Sequence, residues 1–208
     1  MGADQPDLAP IAGLYEESLQ NHGETPMGVG WRTEDGQRLR FDKLLAVVDP
    51  GDGAPIEVND LGCGYGALFE HIEGRGTPVG AYFGYDISDE MLRAAAQRVP
   101  QDRGRLLRSD RVTQPADYSF ASGIFNVRMA ADETRWLSYV QSTVHNLAEH
   151  SRRGFAFNLL TTYCDYQEDH LFYGDPRWWF DWCKREITPR VALLHDYPLF
   201  EWTLLGRL

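Results

Sequence analysis

The chain has no stretch approaching the ~18 uncharged apolar residues that a membrane helix requires, so a membrane protein is not expected. Its beginning, "MGADQPDLAP", is acidic and lacks the apolar core of an export signal. Met1-Gly2 opens like an acylation site, but Pro6 stands where such a signal carries Ser or Thr. Cysteine is scarce: Cys63, Cys164 and Cys183 are odd in number and form no CxxC pair, which argues against a disulfide framework and fits the reducing cytoplasm. The six histidines are scattered and form no recognisable ligand set with the cysteines, so no metal site is expected. Cations are also in deficit, with 20 Lys and Arg against 31 Asp and Glu and a net charge of −11. Such a surface repels a phosphate backbone, which sets nucleic acid aside as a partner. The one basic run, "RVPQDRGRLLRSDR", is interrupted by Asp102 and Asp110 and reads as a solvated turn. Repeats and low-complexity linkers are lacking too. What remains is a chain of 208 residues, 43% hydrophobic, suited to a single domain acting as a monomer or homodimer.

The pattern of what is present is alternating. Ile11, Leu14 and Leu19 give a helical stripe over Ala9 to Gln20, and a second helix is expected over Leu39–Val48, stopping at "DPGDG". Residues 1–50 thus read as an N-terminal helical cap and 51–208 as the main domain. From there "PIEVNDLG" reads as a buried strand, "GALFEHI" as a helix, "GAYFGYDIS" as a strand and "SDEMLRAAAQRV" as a helix capped by Ser88. "RGRLLRSD" and "DYSFASGIFNV" are further strands, followed by a helix over Glu133–Glu149 and the strand "RGFAFNLLT". Alternation of this kind specifies a parallel sheet covered on both faces. The tail departs from it: after a helix begun by Asp175 and Pro176, the two apolar runs of "RVALLHDYPLFEWTLLGRL" are joined too tightly to be parallel. The expected fold is therefore α/β, a doubly wound, mostly parallel sheet ending in an antiparallel hairpin.

Three glycines alternate along "DLGCGYGA" at the end of the first strand. Glycine adopts positive φ and lets a ligand approach main chain where a Cβ would clash. In doubly wound sheets, ligands bind at the carboxyl ends of the strands, where the strand order reverses. The loop also fits the G-x-G-x-x-A form of a dinucleotide fingerprint, which leaves an NAD-dependent oxidoreductase as an alternative. Two acids favour another ligand. Asp86 closes the second strand, where a carboxylate accepts hydrogen bonds from ribose hydroxyls. Asp60 precedes the first glycine by two residues, a poor neighbour for a pyrophosphate but a good one for an ammonium. Together they point to an adenosine-bearing ligand without phosphates.

"VNDLGCGYG", followed by "YDIS", "RSD" and "ASGIFNV", resembles the class I S-adenosylmethionine-dependent methyltransferases, whose seven-stranded Rossmann-like sheet ends in a reversed hairpin. The resemblance implies S-adenosyl-L-methionine as cofactor, with Asp60, Gly62, Cys63, Gly64 and Gly66 around its methionine part and ribose. It also implies Asp86 on the ribose hydroxyls, Ile87 beside the adenine, Asp110 near the adenine amino group, and Ala121 and Ser122 near the sulfonium. Upstream, "MGVGWRTEDGQRLRF" resembles a segment that caps the cofactor, with Trp31 covering it and Gln37 or Arg40 reaching its carboxylate. A non-catalytic subunit that only binds the cofactor is a further alternative.

The acceptor is less legible. "NLLTTYCDYQEDHLFYGD" follows the fifth strand and offers Tyr163, Asp165, Tyr166, His170 and Tyr173, an aromatic and polar loop suited to a lid over a small molecule. His170 is the choice for a catalytic base because its ordinary pKa lies near neutrality, with Tyr163 and His195 beside it as catalytic candidates. Asn126 is placed either to orient an acceptor or to cap a helix. No N-P-P-Y-like run follows the fourth strand, and no loop carries the paired glutamates of arginine methylation. A small-molecule acceptor is expected, with oxygen as the methylated atom.

Overall fold

The first strand, β1 (Ile56–Leu61), is buried at five of its six residues, as a strand covered on both faces must be. The computed structural model describes residues 6–49, 51 and 53–208. The Met1-Gly2 start, and Pro50 and Asp52 of the expected helix stop, lie outside the described residues. β1 pairs in parallel with β2 (Val79–Asp86) on one side and β4 (Ala116–Ala121) on the other. β3 (Gly104–Arg108) extends the sheet beyond β2, and β5 (Ser151–Thr161) extends it beyond β4. The strand order therefore reverses at β1, opening a crevice at the carboxyl ends of β1 and β4.

The expected hairpin closes the other edge. β7 (Arg190–Leu194) and β8 (Glu201–Arg207) are antiparallel, and β8 lies against β5, giving the order β3-β2-β1-β4-β5-β8-β7. A two-residue strand that sequence patterning does not reveal, β6 (Tyr173–Gly174), pairs with the last two residues of β5.

The helices are α1 (Ala9–His22), α2 (Glu34–Leu45), α3 (Ala67–Gly74), α4 (Asp89–Ala95), α5 (Glu133–Glu149) and α6 (Pro176–Glu186). α5 has the bounds its pattern predicts, because Asp132 caps it by accepting from the N–H groups of Thr134 and Arg135. α2 begins five residues before the expected Leu39, since Thr33 caps it across Gly36, a residue that disfavours helix in the sequence pattern. α4 ends at Ala95, well short of Val99, with turns leading to Pro100.

Strand alternation sorts the core into two layers. On one face Phe155, Phe157 and Leu159 of β5 and Trp202 and Leu204 of β8 pack with Trp136 of α5 and Trp179 of α6. On the other, Ala156 and Leu205 meet Phe41 and Leu44 of α2 and Leu68 and Ile72 of α3. The same parity points Asn158 and Glu201 toward α2.

Candidate active site

β1 delivers its chain into the crevice through three glycines with positive φ, +74° at Gly62, +53° at Gly64 and +86° at Gly66. At Gly62 a Cβ would stand 2.1 Å from the Ile124 side chain, so only glycine permits the turn to pass beneath the loop after β4. The turn brings the Gly64 N–H within 2.9 Å of Asp86 Oδ2, while the Ser88 N–H donates to Oδ1 at 3.0 Å. The Asp86 carboxylate is thus oriented by backbone before any ligand arrives. Burial pushes its pKa up and these N–H groups pull it back.

Asp60 is 2% exposed and accepts from the Tyr82 hydroxyl at 2.5 Å. Burial raises its pKa to about 7, opposed by the Tyr82 bond and reinforced by the Asp86 charge. Burial and the same two acids push the Cys63 thiol well above its ordinary range, so Cys63 is a neutral wall group and no thiolate nucleophile.

Asp60, Gly62, Cys63, Gly64 and Asp86 line a cavity of about 990 Å³, counting space open to solvent, together with Ile87, Asp110, Ser122 and Trp31. Three carboxylates line it, and among the described residues no Lys, Arg or His does. Ser122 Oγ is buried in its wall without a hydrogen-bond partner among the described residues.

The roof comes from α1 and the turn after it, within the segment that reads from the sequence as a helical cap. Ile11, Ala12 and Tyr15 of α1, with Val29 of the 3₁₀ turn Pro26–Val29, line the same cavity. Ser18 Oγ donates to the Met27 carbonyl at 2.9 Å, and Gln20 Nε2 to Glu90 of α4 at 3.3 Å, fastening α1 across the crevice. Tyr15 lies close enough to Asp86 that burial and that charge raise its phenol to about 12. Ile11 is the only buried residue of α1, a weak signal for a cavity roof. Tyr139 of α5 also lines the cavity and gives no sequence sign of doing so.

Three residues expected at the cofactor do not line the cavity. Gly66 serves as the cap of α3, packed on Ala95 and Val99. Ala121 is wholly buried as the last residue of β4, behind Ser122. Arg40 is held by Glu201, to which its Nε donates at 3.0 and 2.8 Å. Gln37 instead lines the cavity, with its Oε1 accepting from Tyr65 at 3.0 Å.

The catalytic candidates also lie outside the cavity lining. Tyr163 is 57% exposed and packs against His195, ring centroids 5.9 Å apart. His170 lines a separate open groove with Arg128, Arg135 and Asp169, and its backbone carbonyl accepts from Arg128 and Met129. The groove adjoins the cavity through residues 6–12, with Pro6, Asp7 and Pro10 on its side and Leu8 and Ile11 on the other. Asn126 ties this region together: its side-chain Oδ1 accepts from the Leu160 N–H at 3.2 Å and its backbone carbonyl from the Phe172 N–H at 2.9 Å. It is a loop clamp rather than a helix cap. Among the described residues no group of three or more His, Cys, Asp or Glu could hold a metal ion.

The sheet order with its reversed hairpin, and a glycine-lined acidic crevice at the switch point, define a Rossmann-like methyltransferase fold. The family described as "Methyltransferase domain" matches residues 58–154. The chain is 46% identical to "Putative methyltransferase Rv1506c" of Mycobacterium tuberculosis over 166 residues, covering 78% of this chain and 98% of that protein. The chain belongs to the methyltransferase family. It is also 37% identical over 89 residues to nocamycin O-methyltransferase of Saccharothrix syringae, 43% of this chain and 31% of that one. Among solved structures, magnesium protoporphyrin IX methyltransferase of Synechocystis PCC 6803 with bound S-adenosylhomocysteine superposes with a TM-score of 0.70. Its identity is 13%, covering 97% of this chain and 99% of that one, a likeness of fold.

Proposed function

We propose that the protein transfers a methyl group from S-adenosylmethionine to an oxygen of a small molecule. The observation that carries the cofactor reading is the unbalanced charge of the cavity: two buried carboxylates, Asp60 and Asp86, and a third at Asp110, with no cation in the lining among the described residues. Such a site selects a cationic, phosphate-free ligand, because a pyrophosphate placed against these acids meets repulsion at low dielectric. The residues present fit S-adenosylmethionine. Asp60 is assigned to its ammonium, Asp86 to its ribose hydroxyls, and the orphaned Ser122 Oγ to a polar atom near its reacting end. Ile87 is assigned to the adenine face, Asp110 to the adenine amino group, and the Gln37 amide to the carboxylate in place of Arg40. When bound, S-adenosylmethionine supplies an electrophilic methyl carbon on a sulfonium.

The chain's own contribution is then alignment and exclusion of water, achieved by α1, the 3₁₀ turn and Trp31 closing over the crevice. The acceptor is assigned to the side where residues 6–12 separate the cavity from the neighbouring groove. His170 there is exposed, with Glu168 3.8 Å from its Nδ1, and is the group proposed to take the acceptor's proton. Tyr163 and His195 line neither space and are given no role. The oxygen reading draws support from the nocamycin relative's name. The setting proposed is the cytoplasm, in keeping with three free cysteines.

Thermal shift with S-adenosylhomocysteine and, separately, NAD tests the cofactor: stabilisation by the first alone is expected, since only a ligand of the native state raises the melting temperature. Transfer of labelled methyl to a panel of small hydroxyl, carboxyl and amino compounds tests the reaction. Labelling of amines alone overturns the oxygen assignment, and cofactor binding without turnover on any acceptor favours a non-catalytic subunit.

A further inference from the structure

Arg40 is 9% exposed, Glu201 2% and Asn158 wholly buried, yet none of the three lines the cavity. Their hydrogen bonds converge on Glu201 and lead to the cavity wall. The Arg40 guanidinium grips Glu201, and its Nη1 donates to the Gly36 carbonyl at 2.9 Å. Glu201 Oε2 also accepts from Asn158 Nδ2 at 3.0 Å. Asn158 Oδ1 accepts from the Gly123 N–H at 2.7 Å. Gly123 and Trp31 both face the cavity, and a Cβ on Gly123, at φ +75°, would stand 2.4 Å from the Trp31 ring. The Trp31 ring in turn carries the Arg40 guanidinium 3.8 Å from its centroid. The contacts close a ring through five residues on four parts of the chain.

We propose that this closed circuit, Trp31–Arg40–Glu201–Asn158–Gly123, is a positioning device that sets the cavity wall beside the end of β4. Arg40, Glu201 and Asn158 are positioning residues: none of them lines the cavity, and they act through Trp31 and Gly123. An ion pair is suited to the task because a planar guanidinium can bind a carboxylate in its plane and stack an indole on its face at once. Asn158 converts the carboxylate's position into a fixed direction for the Gly123 N–H, and Gly123 lacks the Cβ that would push the indole away. Trp31 and the loop after β4 are therefore held relative to each other through the sheet, independently of contact with ligand.

This rests on the cavity being the cofactor site, and S-adenosylhomocysteine binding by the parent protein, followed by calorimetry, checks that reading first. The circuit is then tested with 5-fluorotryptophan-labelled protein, whose six tryptophans are resolved by fluorine NMR and whose Trp31 signal is assigned by Trp31→Phe. The double variant Arg40→Met/Glu201→Gln removes both charges and the stacked cation while keeping an oxygen for Asn158. Its melting temperature is expected near the parent's, because a buried ion pair replaced as a unit costs little. Its Trp31 signal is expected to move while the other five hold, and its affinity for S-adenosylhomocysteine to fall about tenfold, the order expected from one or two lost positioning contacts. Asn158→Ala keeps the ion pair and cuts the circuit at Gly123, so it is expected to weaken binding similarly, and it decides alone should the double variant fail to fold. A parent that does not bind the ligand overturns the cofactor reading. A parent that binds, with a folded variant whose Trp31 signal and affinity are unchanged, overturns the circuit.

Discussion

Asp60 and Glu201 are both 2% exposed carboxylates on the same sheet, on strands separated by β4 and β5, and their surroundings are opposite. Glu201 is met by a guanidinium and an amide, so its charge is neutralised within the fold. Asp60 has a phenol beside it, a second acid nearby and no cation among the described residues of the cavity lining. The difference separates a charge used by the structure from one left for a ligand. Burying an unpaired carboxylate costs free energy, and among the described residues the fold tolerates that cost on the side where the crevice opens.

The largest expected effect falls on the neutralised side. Glu201→Ala leaves Arg40 buried without its carboxylate, which should cost about 3–5 kcal/mol of stability in urea unfolding. A loss below ~1 kcal/mol would show that water reaches Arg40 and erase the contrast. Asp60→Asn should move stability the other way. With its folded pKa raised to about 7 from an ordinary 3.8, Asp60 favours the folded state when protonated. That contribution is present below about pH 4 and is lost as pH rises toward 7. At pH 8 the ligand-free Asp60→Asn variant should therefore be more stable than the parent by on the order of 2–4 kcal/mol, with a flatter slope between pH 4 and 7, while binding S-adenosylhomocysteine more weakly. An identical slope in the two proteins would remove Asp60 from this account. Asp86→Ala has a smaller expected effect, a loss of about 1–3 kcal/mol in calorimetric affinity for the same ligand. Unchanged affinity would take Asp86 out of the site.

What can be read from the sequence follows the same division. Gly62, Gly64, Asp60 and Asp86 lie within 27 residues, and their chemistry is local: turn, strand end, acid. Their place in the cavity is legible for that reason. Arg40 and Glu201 are 161 residues apart, and nothing near Arg40 in the chain says that the last strand neutralises it. Read alone, it suits the cofactor's carboxylate. Strands and caps are legible where a side chain signals them, as with Ser88 and Asp175. β6 is not, because two residues held by neighbouring backbone carry no period. The N-terminal segment reads as a cap, but the residues with which it faces the cavity do not, because α1 buries one residue and its contacts depend on where the helix docks rather than on its own pattern.

The smallest expected effect concerns the loop after β5, the region where sequence reasoning places the chemistry. Tyr163, His170 and His195 lie outside the cavity lining, so alanine at any of them should leave S-adenosylhomocysteine affinity within about twofold, the scatter expected of substitutions away from a site. The three should nevertheless part company in turnover. His170 shares with the cavity the wall formed by residues 6–12, so His170→Ala should slow methyl transfer to the true acceptor. Tyr163→Ala and His195→Ala remove one partner each from an exposed ring contact and should turn over at the parent rate. Should Tyr163→Ala prove the slow one and His170→Ala the indifferent one, the acceptor approaches over the turn between β7 and β8, and the groove beside α1 has no part in the reaction.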